Sequence, residues 1–251
     1  MPRQFPNKRQ KLAAAALAWI IAASSPVLAL VGPTDPAAET SVVMVLNRRA
    51  GTAGFCTGVI VAPDIVLTAA HCATRPADMR IHYRGPDGGI VLIPVRRVAI
   101  HPAFRADAIR TRRRSIDLAL VEAAQPLDSR FTTARLDEDG HFAVGEKLRI
   151  VGFGVSVEKD PTSAGAARGA DLVVREPLSD VLVWAEDAAG RGAGACQGDS
   201  GGPIFRDGAV AAITAWSTGT PPAHCGALTQ GVILAPNLGW LRGVLAAWSQ
   251  P

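Results

Sequence analysis

Eight residues constrain this chain more than any others: Cys196-Gln197-Gly198-Asp199-Ser200-Gly201-Gly202-Pro203. A serine framed by glycines is held on a tight turn, its hydroxyl exposed and backbone N–H groups free to converge beside it. That is the local geometry a nucleophile with an oxyanion hole requires. Around this stretch the chain reads as short apolar runs separated by turn residues, the signature of an all-β sandwich or barrel. The runs fall at 42–46, 59–61, 65–67, 90–95, 118–121, 148–151, 181–184, 210–213 and 232–234. Ala62-Pro63-Asp64, Pro86-Asp87-Gly88-Gly89 and Arg206-Asp207-Gly208 supply turns between them. There is no internal repeat.

Gly198, Ser200 and Gly202 also fit the sharp strand-to-helix turn that carries the serine of α/β-hydrolases. Chain order separates the two architectures. An α/β-hydrolase needs its acid and then its histidine after the serine, and downstream of Ser200 stand only Asp207, in a hairpin turn, and His224. Upstream lie Thr68-Ala69-Ala70-His71-Cys72 and Asp117-Leu118-Ala119-Leu120, which give the order histidine, aspartate, serine. With these three segments together the chain resembles the chymotrypsin/trypsin family of serine endopeptidases, from about residue 30 to the C-terminus.

The resemblance implies an all-β fold of two antiparallel six-stranded barrels with the active site between them, in a domain covering 30–251. The N-terminal barrel is expected at about 30–125 and the C-terminal barrel at about 140–236, with residues 122–141 as the bridge. Leu238, Leu241, Leu245 and Trp248 recur at helical spacing after Asn237, a candidate N-cap, so a helix docking on the barrel is expected at about 237–249. The Ala-, Gly- and Ser-rich stretch 161–171 reads as a mobile surface loop near the cleft.

Composition matters through the first 29 residues. Arg3, Lys8, Arg9 and Lys11 precede an apolar run over 12–23, and Ser24-Ser25-Pro26-Val27-Leu28-Ala29 ends in small residues at the positions a cut requires. This reads as a secretory signal peptide over 1–29, so the mature protein is expected to be secreted or periplasmic without a stable membrane anchor. Its removal takes away four positive and no negative charges, bringing the formal net charge from +4 to zero. The mature chain thus offers no global electrostatic attraction for nucleic acid or an anionic membrane. Four cysteines in an exported chain point to two disulfides, and spacing leaves three pairings open. The resemblance implies Cys56 with Cys72 and Cys196 with Cys225. No Cys/His cluster has zinc spacing, so no metal is expected.

Carried residue by residue, the resemblance implies that Ser200 is the nucleophile and His71 the general base and then acid. Asp117 would hold the His71 tautomer, and the backbone N–H groups of Gly198 and Ser200 would form the oxyanion hole. Gly194 resembles the floor of the primary pocket, with Trp216, Ser217 and Gly231 around it. No carboxylate stands at position 194, so cleavage after uncharged residues is expected rather than after arginine or lysine. Leu30-Val31-Gly32 looks like the apolar N-terminus whose ammonium pairs with Asp199, freed here by the signal cut itself. Two departures stand out: Ala215 where the family has a serine that donates to the aspartate, and Ser217 where a glycine keeps the pocket entrance open. The expected partners are a polypeptide substrate and a protein inhibitor, the expected state a monomer, and the chemistry needs no cofactor. The competing reading is a catalytically silent homologue that uses the same fold as a binding module, and Ala215 is its best support.

Overall fold

The computed structural model describes Met1, residues 30–111 and residues 113–250. The signal peptide expected over 1–29 therefore lies, apart from Met1, outside the described residues. After a two-residue strand, β1 (Asp35–Pro36), the chain builds a closed barrel. Its strands are β2 (Val42–Arg49), β3 (Thr52–Ala62), β4 (Ile65–Thr68), β5 (Met79–Arg84), β6 (Ile90–Ile100) and β7 (Ala119–Ala123). They pair antiparallel in the order β2-β3-β4-β7-β6-β5, with β5 returning to β2. Ala50 and Gly51 join β2 to β3 with φ of 48° and 83°, as the twist of a two-residue hairpin demands. Val43, Val45, Ile60, Val66, Ile81, Ile93 and Val121 fill the interior.

The second barrel comprises β8 (Lys147–Gly152), β9 (Arg168–Val174), β10 (Leu182–Glu186), β11 (Pro203–Arg206), β12 (Ala209–Thr218) and β13 (Leu228–Ile233). They run β9-β10-β13-β12-β11-β8, and pairing of β8 with β9 closes the ring, with β1 added along β9. Leu148, Ile150, Leu172, Val183, Ile204 and Ile233 form its core, and Leu30 is buried among them. A third cluster forms the seam between the barrels. Val42, Val59, Leu67, Leu118 and Leu120 from the first barrel meet Val151, Val210, Ile213 and Val232 from the second. Each such buried side chain contributes about 1.5–3 kcal/mol, so the seam fixes the relative position of the two barrels firmly.

The C-terminal helix, α2 (Leu238–Trp248), docks Leu238 and Leu241 into that seam. Glu122 of β7 is buried and accepts two hydrogen bonds from Arg97 of β6, at 2.5 and 2.6 Å. The same guanidinium donates to the Trp248 carbonyl and lies 5.2 Å from the centre of its ring, latching the helix end to the first barrel. Asn237 precedes the helix, but its side chain donates backward to the Ile233 carbonyl at 2.8 Å instead of capping.

The apolar runs all become strands, with bounds moved by a few residues, while β1, β5, β9 and β11 have no counterpart among them. The stretch expected as a mobile loop at 161–171 divides into two parts. Residues 161–163 form a 3-10 turn whose Ser163 is buried, and residues 168–171 open β9, with Arg168, Gly169 and Ala170 buried. Small residues there are packed closely, since a Cβ at Gly169 would collide with the Arg149 guanidinium. A one-turn helix, α1 (Ala108–Thr111), adds a short element before Asp117.

Candidate active site

His71 is presented by the chain between β4 and β5. Ala69, Ala70 and Cys72 are buried, and a 3-10 turn over Ala70–Cys72 leaves the His71 side chain 40% exposed between them. The turn is anchored by the Cys56–Cys72 disulfide to β3, by Asn47 Nδ2 donating to the Cys72 carbonyl at 3.0 Å, and by Arg49 donating to the His71 carbonyl at 3.2 Å. Asp117, two residues before β7, takes two bonds from this histidine. Its Oδ1 accepts the His71 backbone N–H at 2.8 Å and its Oδ2 faces Nδ1 at 2.6 Å. Because an ionised carboxylate only accepts, Nδ1 carries the proton and Nε2 is left with a free lone pair.

Ser200 is placed from both barrels. Gly201 N–H donates to the Thr214 carbonyl at 2.7 Å and Thr214 N–H to the Gly202 carbonyl at 2.9 Å, tying the loop to β12. From β3, the Thr57 N–H donates to the Ser200 carbonyl at 2.9 Å. Cys72 Sγ lies 3.8 Å from that carbonyl oxygen, which sets the residue after His71 against the backbone of the serine. Gly198 has φ of 96° and Gly201 of 83°, and a Cβ at either would collide, with the Phe55 ring and the Thr68 hydroxyl respectively. Only glycine fits both demands. Among the described residues, neither the Gly198 nor the Ser200 N–H has a protein acceptor.

Asp199 points the other way. It is buried, with Oδ1 accepting from Gly154 N–H at 2.8 Å and Oδ2 from Cys196 N–H at 2.9 Å. Burial raises its pKa to about 7, against the lowering effect of those two backbone bonds. Leu30 is buried beside Ala193 and Ala195, and Val31 exchanges backbone bonds with Gly194, each 3.2 Å. Segment 193–196 thus touches both the N-terminal residues and Asp199, but among the described residues no hydrogen bond or ion pair joins Leu30 to Asp199.

Of the expected pocket residues, Trp216 is 41% exposed on β12 and Ser217 is half-buried. Gly194 and Gly231 are buried. A Cβ at Gly194 would stand 3.1 Å from Gly226 Cα and 3.2 Å from the Thr229 hydroxyl oxygen, and one at Gly231 would meet Ile204 at 2.5 Å. Gly231 therefore abuts the barrel core. Thr229, which motif reading passes over, is the polar group beside Gly194, and its Oγ1 accepts the Ala195 N–H at 3.0 Å. Asp187, seven positions earlier, turns its carboxylate onto the N–H groups of Ala189, Arg191 and Ala193. The Cys196–Cys225 disulfide closes this region.

His82 bonds the Val91 carbonyl on the first barrel, and His101 packs edge-on against Trp240 with its pKa lowered by burial. Arg110 pairs with Asp107 at 3.7 Å and Arg114 with Asp180 at 3.6 Å, both well exposed. No helix among the described residues is long and apolar enough to cross a membrane.

Two closed six-stranded barrels packed along a seam, with a histidine–aspartate pair on one and a glycine-framed serine on the other, define the class of double-barrel serine endopeptidases. The chain belongs to the trypsin family, whose model, described as "Trypsin", matches residues 31–233. It is 29% identical over 192 residues to kallikrein-15 of Homo sapiens, covering 64% of this chain and 70% of that one. It is 28% identical over 209 residues to kallikrein-8 of Homo sapiens, covering 77% and 78%. Among solved structures it superposes on the scabies mite inactivated protease paralogue S-I1 with a TM-score of 0.68 at 20% identity, covering 86% of this chain and 99% of that one.

Proposed function

We propose that this trypsin-family protein is an exported endopeptidase that cleaves polypeptides through an acyl-enzyme on Ser200. His71 Nε2 accepts the Ser200 proton as the hydroxyl attacks and returns it to the leaving amine. Asp117 holds the Nδ1–H tautomer and stabilises the imidazolium. The unpaired N–H groups of Gly198 and Ser200 receive the developing oxyanion. A serine, histidine and aspartate divide the work in this way on several unrelated folds. The observation that carries the reading is the pair of hydrogen bonds between His71 and Asp117, 2.6 Å at Nδ1 and 2.8 Å at the backbone N–H, on a turn packed against the Ser200 backbone. With Gly194 and the Thr229 hydroxyl at the base and Trp216 and Ser217 at the rim, the pocket is uncharged and selects uncharged side chains. Signal cleavage frees Leu30, whose ammonium pairs with Asp199; the mature protein is a monomer open to capture by a protein inhibitor.

Treatment of the purified mature protein with a fluorophosphonate, followed by intact mass and peptide mapping, tests this. A stoichiometric adduct on Ser200 in a chain starting at Leu30 is expected. The second reading is a silent homologue that uses the fold for binding. It is favoured by Ala215, which gives Asp117 no hydroxyl donor, and the solved neighbour named as an inactivated protease has the same fold. A folded chain that starts at Leu30 and takes no label would establish that reading.

A further inference from the structure

The loop between β8 and β9 carries a carboxylate that the catalytic steps leave unused. Glu158 is half-buried, and its Oε1 accepts the backbone N–H groups of both His224 and Cys225, each at 2.7 Å. Its carboxylate also lies within 4.8 Å of the sulfur atoms of Cys196 and Cys225. Charge-assisted bonds to two successive N–H groups are strong and directional. They join segments 66 and 67 residues apart in the chain.

The loop presenting Glu158 is braced for this. Ser163 Oγ accepts the N–H groups of Ser156 and Val157, both at 3.1 Å, and donates to the Asp160 carbonyl at 2.7 Å. Lys159, next in sequence, has φ of 66°, a left-handed conformation that a residue with a side chain adopts at a cost. On the other side of Glu158, Val155 N–H donates to the Gln197 carbonyl at 2.8 Å, immediately before Gly198. The loop is thus pinned to the segment that supplies the oxyanion donors.

The segment it grips continues Trp216 and Ser217 around the pocket. Gly219 is folded so tightly that a Cβ there would stand 2.5 Å from the Ala223 carbonyl carbon and from the Cys225 nitrogen. Gly226, with φ of 83°, packs on the Gly192 carbonyl and Val31, and its Cα faces Gly194. Holding Cys225 in place therefore holds Gly226 over the pocket floor and against the docked N-terminal segment.

We propose that Glu158 is a positioning residue for the primary pocket: its carboxylate clasps His224 and Cys225 and keeps residues 218–226 closed over Gly194. It governs how well a substrate side chain is gripped and not the rate of bond breaking. The proposal rests on the reading of Ser200 as nucleophile and Gly194 as pocket floor. In Glu158→Ala the KM for a peptide anilide with a large apolar residue before the scissile bond rises roughly tenfold or more, while kcat stays within about threefold. Labelling of Ser200 by a small methyl fluorophosphonate, which needs no pocket, keeps its wild-type rate. Glu158→Gln, whose amide oxygen can accept the same two N–H groups, recovers most of the loss.

Amide hydrogen exchange at His224 and Cys225 supplies a readout independent of turnover. Both are protected in the wild type and exchange faster in Glu158→Ala. A KM left unchanged, a fall confined to kcat, or a labelling rate that drops with KM would overturn the positioning role. Exchange unaltered by Glu158→Ala would overturn the clasp itself. A wild type that takes no label while both amides stay protected would instead overturn the reading of Ser200.

Discussion

Thr57 donates its hydroxyl to the Gly198 carbonyl at 2.9 Å, a bond between β3 of the first barrel and the nucleophile loop of the second. The same oxygen accepts the Phe153 N–H at 3.0 Å, and the Thr57 carbonyl accepts the Thr68 hydroxyl at 2.8 Å. One fully buried residue therefore ties together, through its hydroxyl, the loop of Ser200 and the segment that supplies Gly154 to Asp199, and, through its carbonyl, the strand that leads to His71.

Replacing Thr57 by valine keeps the shape and removes the hydroxyl. The buried Gly198 carbonyl and the part-buried Phe153 N–H then lose their partner, at about 1–3 kcal/mol for the first and about 1 kcal/mol for the second. Urea unfolding is expected to show a loss of about 2–4 kcal/mol. The variant that still folds should lose kcat more than it gains KM, because the Gly198 donor is no longer held in place. A variant with wild-type stability would show that the Thr57 hydroxyl bonds contribute nothing net.

Ala215 sits at an irregularity in the pairing of β12 with β13, and packs against the cluster that holds Ile116 and Leu118, the neighbours of Asp117. On the expectation drawn from the sequence resemblance, Ala215→Ser adds a hydroxyl that donates to Asp117. One added hydrogen bond is worth about 0.5–1.5 kcal/mol, so kcat/KM on an amide substrate should rise roughly three- to tenfold. A fall, or no change, would mean that Asp117 is already fully held by the two bonds from His71.

The pocket predicts a substrate profile. With no carboxylate at Gly194 and with Asp187 turned onto backbone N–H groups, arginyl anilides should be cleaved at least roughly tenfold more slowly than leucyl or phenylalanyl ones. Gly194→Ala sets a methyl 3.1–3.2 Å from Gly226 and the Thr229 hydroxyl, and should raise KM for all of them. A wild type that prefers arginine would require a different pocket floor.

The short apolar runs between turn residues form strands as their patterning predicts, and the motifs of His71 and Asp117, 46 residues apart, meet in the fold. What escaped had a physical reason. In β5, Met79 and Ile81 point inward while Arg80 and His82 point outward, so the strand carries a period of two without an apolar run. β9 begins with Arg168-Gly169-Ala170, whose small residues resemble a loop until Arg149 is seen filling the space above Gly169. Thr57 and Glu158 belong to no motif. Their importance comes from partners 141 and 66–67 residues away, which only the closed barrels bring together.

Asp199 makes the N-terminus testable by pH. In a chain with residues still attached before Leu30, its carboxyl is buried with no cationic partner among the described residues and titrates at about 7, well above the usual value of 3.8. Between those two pH values the folded state keeps a proton that the unfolded state has released. Stability of that form must therefore fall as pH rises from about 4 to about 7, by up to about 4 kcal/mol, and level off above it. If the proposed pairing forms, a chain starting at Leu30 brings an ammonium to the carboxylate, which is expected to hold Asp199 ionised and to remove this slope. Asp199→Asn in the extended form should flatten the profile as well, since nothing is left there to titrate. Urea unfolding of the three forms at intervals from about pH 4 to about pH 9 reads the difference directly. Matching slopes for the extended chain and the chain starting at Leu30 would mean that the ammonium never reaches Asp199, and that the N-terminus docks through Leu30 packing alone.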